Sequence, residues 1–163
     1  MPFGNNINYA LVLDLEVDLG EDRKDPSPYN KENTLVAIGY TYRSLDGSPI
    51  WNSDGSVYIK KFPADDHYLP ELKKIINEAT YIVMHNAKFD VAWLREAGIN
   101  CRSKIIDTMI NEYILNKGVR GKLGLKALAE EYDLTRKQDS LADAFKEGLN
   151  YSDMSEEDQL KYL

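Results

Sequence analysis

An α/β domain, a mixed sheet with helices packed against it, is the fold this sequence predicts. Two observations carry the prediction. Three strand-like segments follow one another in the first third of the chain, and helical and strand-like segments alternate after that. Strands joined by short turns pair antiparallel, whereas strands separated by a helix pair parallel, so the sheet is expected to be antiparallel first and parallel afterwards. The 163 residues contain no internal repeat, low-complexity tract or interdomain linker, and residues 1–163 are expected to form a single domain.

The elements follow from local patterns. In residues 7–17, Leu11, Leu13, Leu15 and Val17 alternate with Ala10, Val12, Asp14 and Glu16, the period-two signature of a strand. Residues 18–31, rich in Asp, Pro, Gly and Asn, read as a loop. Residues 34–43, full of Val, Ile and Tyr, form the second strand, and the Leu45-Asp46-Gly47-Ser48-Pro49 turn leads to a third over 57–62. From Asp65 the period changes. Leu69, Leu72, Ile75 and Ile76 recur at helical spacing over 67–79, with Asp65 or Asp66 available as a cap and Pro70 in the first turn. Residues 81–84 are a short buried strand, 86–97 a helix stopped by Gly98, 104–106 a strand and 107–115 a helix. A basic, Gly-rich loop over 117–124 precedes a helix over 125–132. Residues 140–146 and 155 to the end read as helical, with Ser155 and Asp158 spaced as a capping box.

Composition narrows the function. At 43% hydrophobic and 29% charged, the chain is neither disordered nor fibrous. Its single cysteine, Cys101, excludes an internal disulfide and a cysteine-built zinc site. No apolar run approaches the ~20 residues of a membrane span, and the start lacks a signal-peptide pattern, so a cytoplasmic setting is expected. With 27 acids against 20 bases, the net charge of −7 argues against a DNA-coating protein. It leaves room for a nucleic-acid enzyme, because carboxylates recruit the divalent cations that then face the phosphate.

Two constellations carry chemistry. Asp14 and Glu16 stand two apart on the first strand and so share one face, while Leu13 and Leu15 take the other. Two acids side by side repel each other and cost desolvation unless a cation joins them, although Asp-x-Glu equally describes two exposed acids at a strand end. In His85-Asn86-Ala87-Lys88-Phe89-Asp90 a buried strand passes into a helix, and Asn86 and Asp90 lie four apart on one helical face. Taken singly, Asn86 reads as an N-cap and Asp90 as a favourable acid in a first turn. Asp107 reads as the N-cap of its own helix, and His67 and His85 as packed or surface histidines.

Leu13-Asp14-Leu15-Glu16, His85-Asn86-Ala87-Lys88-Phe89-Asp90, Ile106-Asp107-Thr108-Met109 with Tyr113-Ile114-Leu115, and Gly124-Leu125-Lys126-Ala127-Leu128-Ala129 stand in that order along the chain. Together they resemble the proofreading 3′–5′ exonuclease domain of family A DNA polymerases, nearest to the phage-type enzymes, which also share the stretch Pro28-Tyr29-Asn30-Lys31-Glu32-Asn33. The resemblance implies an RNase H-like fold and a site for two divalent ions, Mg²⁺ or Mn²⁺, that cleaves phosphodiesters. It implies Asp14 bridging both ions, Glu16 on the ion that holds the nucleophile and Asp90 on the other. Asn86, Phe89 and Leu19 would meet the 3′-terminal nucleotides. Apart from the resemblance, the loop with Lys117, Arg120 and Lys122 among glycines reads either as a contact for single-stranded phosphates or as a solvated loop.

The family's last motif, Tyr-x-x-x-Asp, places Tyr162 beside the attacking water. Its Asp would fall three residues beyond Leu163, so the resemblance describes a domain cut short before its fourth acid, with impaired activity as the expectation. Tyr42 and Asp46 match the same spacing at a strand–turn junction and read as coincidence. The implied partners are the 3′ end of single-stranded DNA and a polymerase domain downstream, with no membrane. Two other readings remain open at this stage: an RNase D-like exoribonuclease, and a non-catalytic module that binds DNA ends.

Overall fold

The computed structural model describes residues 8–21, 23, 25–46, 58–61, 68–119, 121–134, 145 and 148–162. Its sheet has five strands: β1 (Ala10–Asp18), β2 (Thr34–Arg43), β3 (Tyr58–Lys61), β4 (Tyr81–Met84) and β5 (Lys104–Asp107), in the spatial order β3-β2-β1-β4-β5. β1 pairs antiparallel with β2, and β2 with β3, whereas β4 pairs parallel with β1 and β5 with β4. The sheet is mixed as expected of an RNase H-like fold, antiparallel on one side of β1 and parallel on the other.

The helices are α1 (Tyr68–Glu78), α2 (Ala87–Glu96), α3 (Thr108–Leu115), α4 (Leu125–Glu131) and α5 (Glu156–Tyr162), with a 3₁₀ turn at Tyr151–Asp153. Most boundaries lie within one or two residues of the sequence expectation. The expected helix over 140–146 lies outside the described residues except for Phe145, as do the caps Asp65 and Asp66, His67 and Arg120. Gly98 follows α2 with φ +74°, the left-handed conformation that a helix stop requires. Ser155 opens α5 by accepting from the Asp158 N–H at 3.2 Å while its hydroxyl donates back to the Asp158 carboxylate at 2.6 Å.

β1 separates two cores. Leu11, Leu13 and Leu15 face one side and pack with Ile38, Ile76, Ile82, Trp93 and Leu94. In register with β2, Glu16 stands opposite Ala37 and Asp14 opposite Gly39, on the other face. There Val36 and Ala37 meet Tyr151 and Met154, with Phe145 and Tyr162 packed alongside. The register slips between Glu16 and Val17, whose partners are Ala37 and Leu35. Val36 is the extra residue of a bulge, which turns the strand end beside Glu16 and explains how two successive residues reach one core.

The loop between β1 and β2 is tied by Asn33, which is 9% exposed. Its Oδ1 accepts from the Gly20 N–H at 2.9 Å, and its Nδ2 donates to the carbonyls of Asp25 and Ser27 at 2.6 and 3.0 Å. The indole of Trp93 donates to the Pro26 carbonyl at 3.1 Å, which fastens this loop to α2.

Ile82 is fully buried in β4, while Ile105 on the edge strand β5 is 41% exposed. Ile82→Ala is expected to cost about 2–5 kcal/mol and Ile105→Ala under about 1 kcal/mol. Urea midpoints of the two variants check the difference, and equal losses would place the core elsewhere.

Candidate active site

Because β1 and β4 run parallel, their C-terminal ends lie side by side, and α2 begins just past β4. Asp90 sits in the first turn of α2 yet is only 3% exposed, so it is more than an acid beside a helix terminus. The N–H of Leu15, between Asp14 and Glu16 in the chain, hydrogen-bonds its carboxyl. Burial first, then the negative charge of Asp14, and to a smaller degree that of Asp107, push the Asp90 pKa from 3.8 up to about 7, against the lowering by its backbone hydrogen bonds. Asp14 itself is exposed, on the face opposite the leucine core.

Glu16 lies on the same face as Asp14, half-buried, beside the C-terminal segment. The phenol of Tyr151 is pushed up by burial, by the Glu16 carboxylate and by Tyr162, which brings these three side chains into one neighbourhood. The Tyr162 ring lies 5.1 Å from that of Phe145 and 6.4 Å from that of Tyr151, centroid to centroid. The structure thus draws together Asp14 with Asp90, and Glu16 with Tyr162. Among the described residues, no three carboxylate, imidazole or thiol side chains are grouped as a ready-made metal cage.

Asn86 differs from its simplest reading. It precedes α2 in the left-handed region (φ 63°, ψ 48°), its side chain makes no capping bond, and it is exposed. Asp107 does the capping instead. Its Oδ2 accepts from the Ala87 N–H at 2.9 Å, and its Oδ1 from the N–H groups of Asn86 (3.1 Å), Met109 (2.9 Å) and Ile110 (3.4 Å). One carboxylate therefore caps α2 and α3 at once and frees the Asn86 side chain. The sequence signalled the cap of α3 but not the reach across β4 to α2, which depends on the pairing of Met84 with Asp107.

The other expected residues are placed as follows. Phe89 is half-buried and packs against the leucine core. Leu19 follows β1, with its N–H donating to Asn150 Oδ1 at 3.2 Å. Arg120 lies outside the described residues. Tyr42 is buried edge-on to Tyr9 while Asp46 is on an exposed turn, so they form no motif. Beside Asp107, the Thr108 hydroxyl lies 3.2 Å from the Met84 carbonyl and 2.9 Å from His85 Nδ1. His85 Nε2 is buried without a hydrogen-bond partner.

The raised pKa of Asp90 has a consequence for stability. The unfolded carboxyl releases its proton near 3.8 and the folded one near about 7, so within that window the folded chain holds a proton the unfolded chain has lost. This group's contribution therefore falls as pH rises through the window, and the penalty is complete above it. For metal-free protein, Asp90→Asn is expected to raise Tm, and to raise it more at pH ~8, where the penalty is complete, than at pH ~5, where only part of it has built up. Thermal melts at the two pH values check this, and a parallel offset at both would dissociate Asp90 from the titration.

Comparison with known proteins identifies the family. A family model described as 3′–5′ exonuclease matches residues 17–162, beginning one residue past Glu16. DNA polymerase I of Borreliella burgdorferi is 27% identical over 130 residues, which is 78% of this chain and 13% of the polymerase. The chain thus spans about an eighth of the length of that relative. Among solved structures, the apo form of a nuclease superposes with a TM-score of 0.64 at 17% identity, over 94% of this chain and 63% of the other. Brucella melitensis NrnC with bound Mg²⁺ gives 0.54 at 17% identity, over 94% and 66%. With the match extending over most of its length, the chain belongs to the 3′–5′ exonuclease family of the DNA polymerase A type.

Proposed function

We propose that this 3′–5′ exonuclease removes nucleotides from the 3′ end of single-stranded DNA with Mg²⁺ or Mn²⁺ held by Asp14, Glu16 and Asp90, as a proofreading unit, residues 1–163 forming one domain beside a polymerase. The observation that carries the reading is the buried Asp90 carboxyl beside Asp14, whose mutual repulsion a cation relieves. The donors are all carboxylate oxygens, which suit hard divalent ions. Mg²⁺ bound to the related fold of Brucella NrnC points the same way. When bound, such ions lower the pKa of water and neutralise phosphate charge.

The chain's own residues supply the rest. Glu16, on the same face of β1 as Asp14, neighbours Tyr151 in the segment that carries Tyr162. Tyr162 orients the attacking water through its hydroxyl. Asn86, freed from capping and exposed, is available to a terminal sugar or base, and Phe89 and Leu19 flank the same strand ends. Arg120, Lys117 and Lys122 would meet backbone phosphates.

Mg²⁺ or Mn²⁺ is expected to raise Tm by several degrees, because binding only the folded state stabilises it. Asp14→Ala should abolish the shift. In Mn²⁺ a 5′-labelled single-stranded DNA should shorten stepwise from its 3′ end, and Asp14→Ala should slow this at least about a hundredfold. A matched RNA degraded equally fast would replace DNA as the preferred substrate, and shortening that survives Asp14→Ala would move the site.

A further inference from the structure

We infer that Arg23 is a positioning residue for this exonuclease, holding the C-terminal segment so that Tyr162 stays in the neighbourhood of Glu16. The inference rests on the reading of Tyr162 given above. Arg23 Nη1 donates to the Gly148 carbonyl at 2.7 Å and to Asn150 Oδ1 at 3.1 Å, and Nη2 donates to the carbonyls of Leu149 at 2.9 Å and Phe145 at 3.4 Å. One half-buried guanidinium thus joins the loop after β1 to a segment more than a hundred residues later in the chain.

Two further contacts sew the same seam. Asn150 accepts from the Leu19 N–H at 3.2 Å and donates to the Leu19 carbonyl at 3.4 Å, and Asp18 Oδ1 accepts from the Ser152 N–H at 3.2 Å. Beyond the seam the path to Tyr162 is continuous. Buried Tyr151 donates to the Gln159 carbonyl at 3.1 Å, and Gln159 Nε2 returns bonds to the carbonyls of Tyr151 and Met154 at 3.0 and 3.1 Å. This locks the 3₁₀ turn to α5, and α5 ends with the Tyr162 ring against Phe145, one of the residues the guanidinium holds.

The geometry is specific to arginine. Main-chain carbonyls on three residues are met by a planar fork with two donating nitrogens, which a lysine ammonium cannot reproduce. Arg23 also adopts φ 46°, a left-handed backbone that costs a non-glycine residue energy and that the surrounding bonds must hold in place. Seams of this kind act on rate, because a misplacement near 1 Å in a catalytic group costs orders of magnitude.

The test has two arms. In the first, the chain is labelled with 3-fluorotyrosine, the Tyr162 and Tyr151 ¹⁹F resonances are assigned from Tyr162→Phe and Tyr151→Phe, and Arg23→Met and Arg23→Lys are compared with the parent. Both Arg23 variants should move the Tyr162 resonance toward an exposed shift, while Tyr9 and Tyr42 stay in place and report an intact core. In the second, hydrolysis of single-stranded DNA in Mn²⁺ should lose at least about tenfold in kcat in Arg23→Met with KM within about threefold, and Arg23→Met should add little further loss in a Tyr162→Phe background. An unmoved Tyr162 resonance, or losses that add in the double variant, would overturn the inference. Absence of hydrolysis by the parent chain would count against the proposed function, and the fluorine arm would still decide the role of Arg23.

Discussion

The candidate site depends on one unfavourable interaction: the carboxyl of Asp90 is buried next to that of Asp14 at the end of the central strand. Water alone would separate two such groups. Here they are held by the parallel alignment of β1 with β4, which brings the two strand ends together, and by the fixed start of α2. The strain is expressed as a proton that Asp90 keeps up to about pH 7 rather than as a distortion of the fold.

The surrounding structure restrains this point from several directions. Asp107 caps α2 and α3 with one carboxylate, so the turn carrying Asn86 and the turn carrying Asp90 are anchored to β5. The bulge at Val36 turns the strand end beside Glu16 and gives Tyr151 a surface of Val36 and Ala37 to pack on. Asn33 closes the β1–β2 loop, and the Arg23–Asn150 seam joins that loop to the chain's last helix. Apart from the bulge, these anchors are polar side chains that bond largely to backbone, which fixes direction in a way that apolar packing does not.

The two faces of the sheet divide the labour. The leucine face, with Leu11, Leu13 and Leu15 against α1 and α2, supplies most of the buried apolar surface. The opposite face buries a smaller aromatic cluster and carries the acids. Its partner, the segment from Phe145 to Tyr162, is held by directed bonds as much as by packing, so the position of Tyr162 depends on the seam more than Asp90 does.

Much of this was legible in the sequence because it is local. The period-two pattern of β1, the helical spacing of α1, the stop at Gly98 and the Asp-x-Glu pair on one face follow from neighbouring residues and fixed backbone geometry. So does the family resemblance, since its motifs are short and ordered. What only the tertiary structure decided are the contacts between residues distant in the chain: that Asp107 reaches across to cap α2 and releases Asn86, that Asp90 is buried beside Asp14 rather than exposed in its helical turn, and that Arg23 grips the carbonyls of Phe145, Gly148 and Leu149. Sequence fixes which atoms can donate and accept. Which donor meets which acceptor is set by the strand order β3-β2-β1-β4-β5, because sheet pairing and not chain proximity brings those atoms within reach.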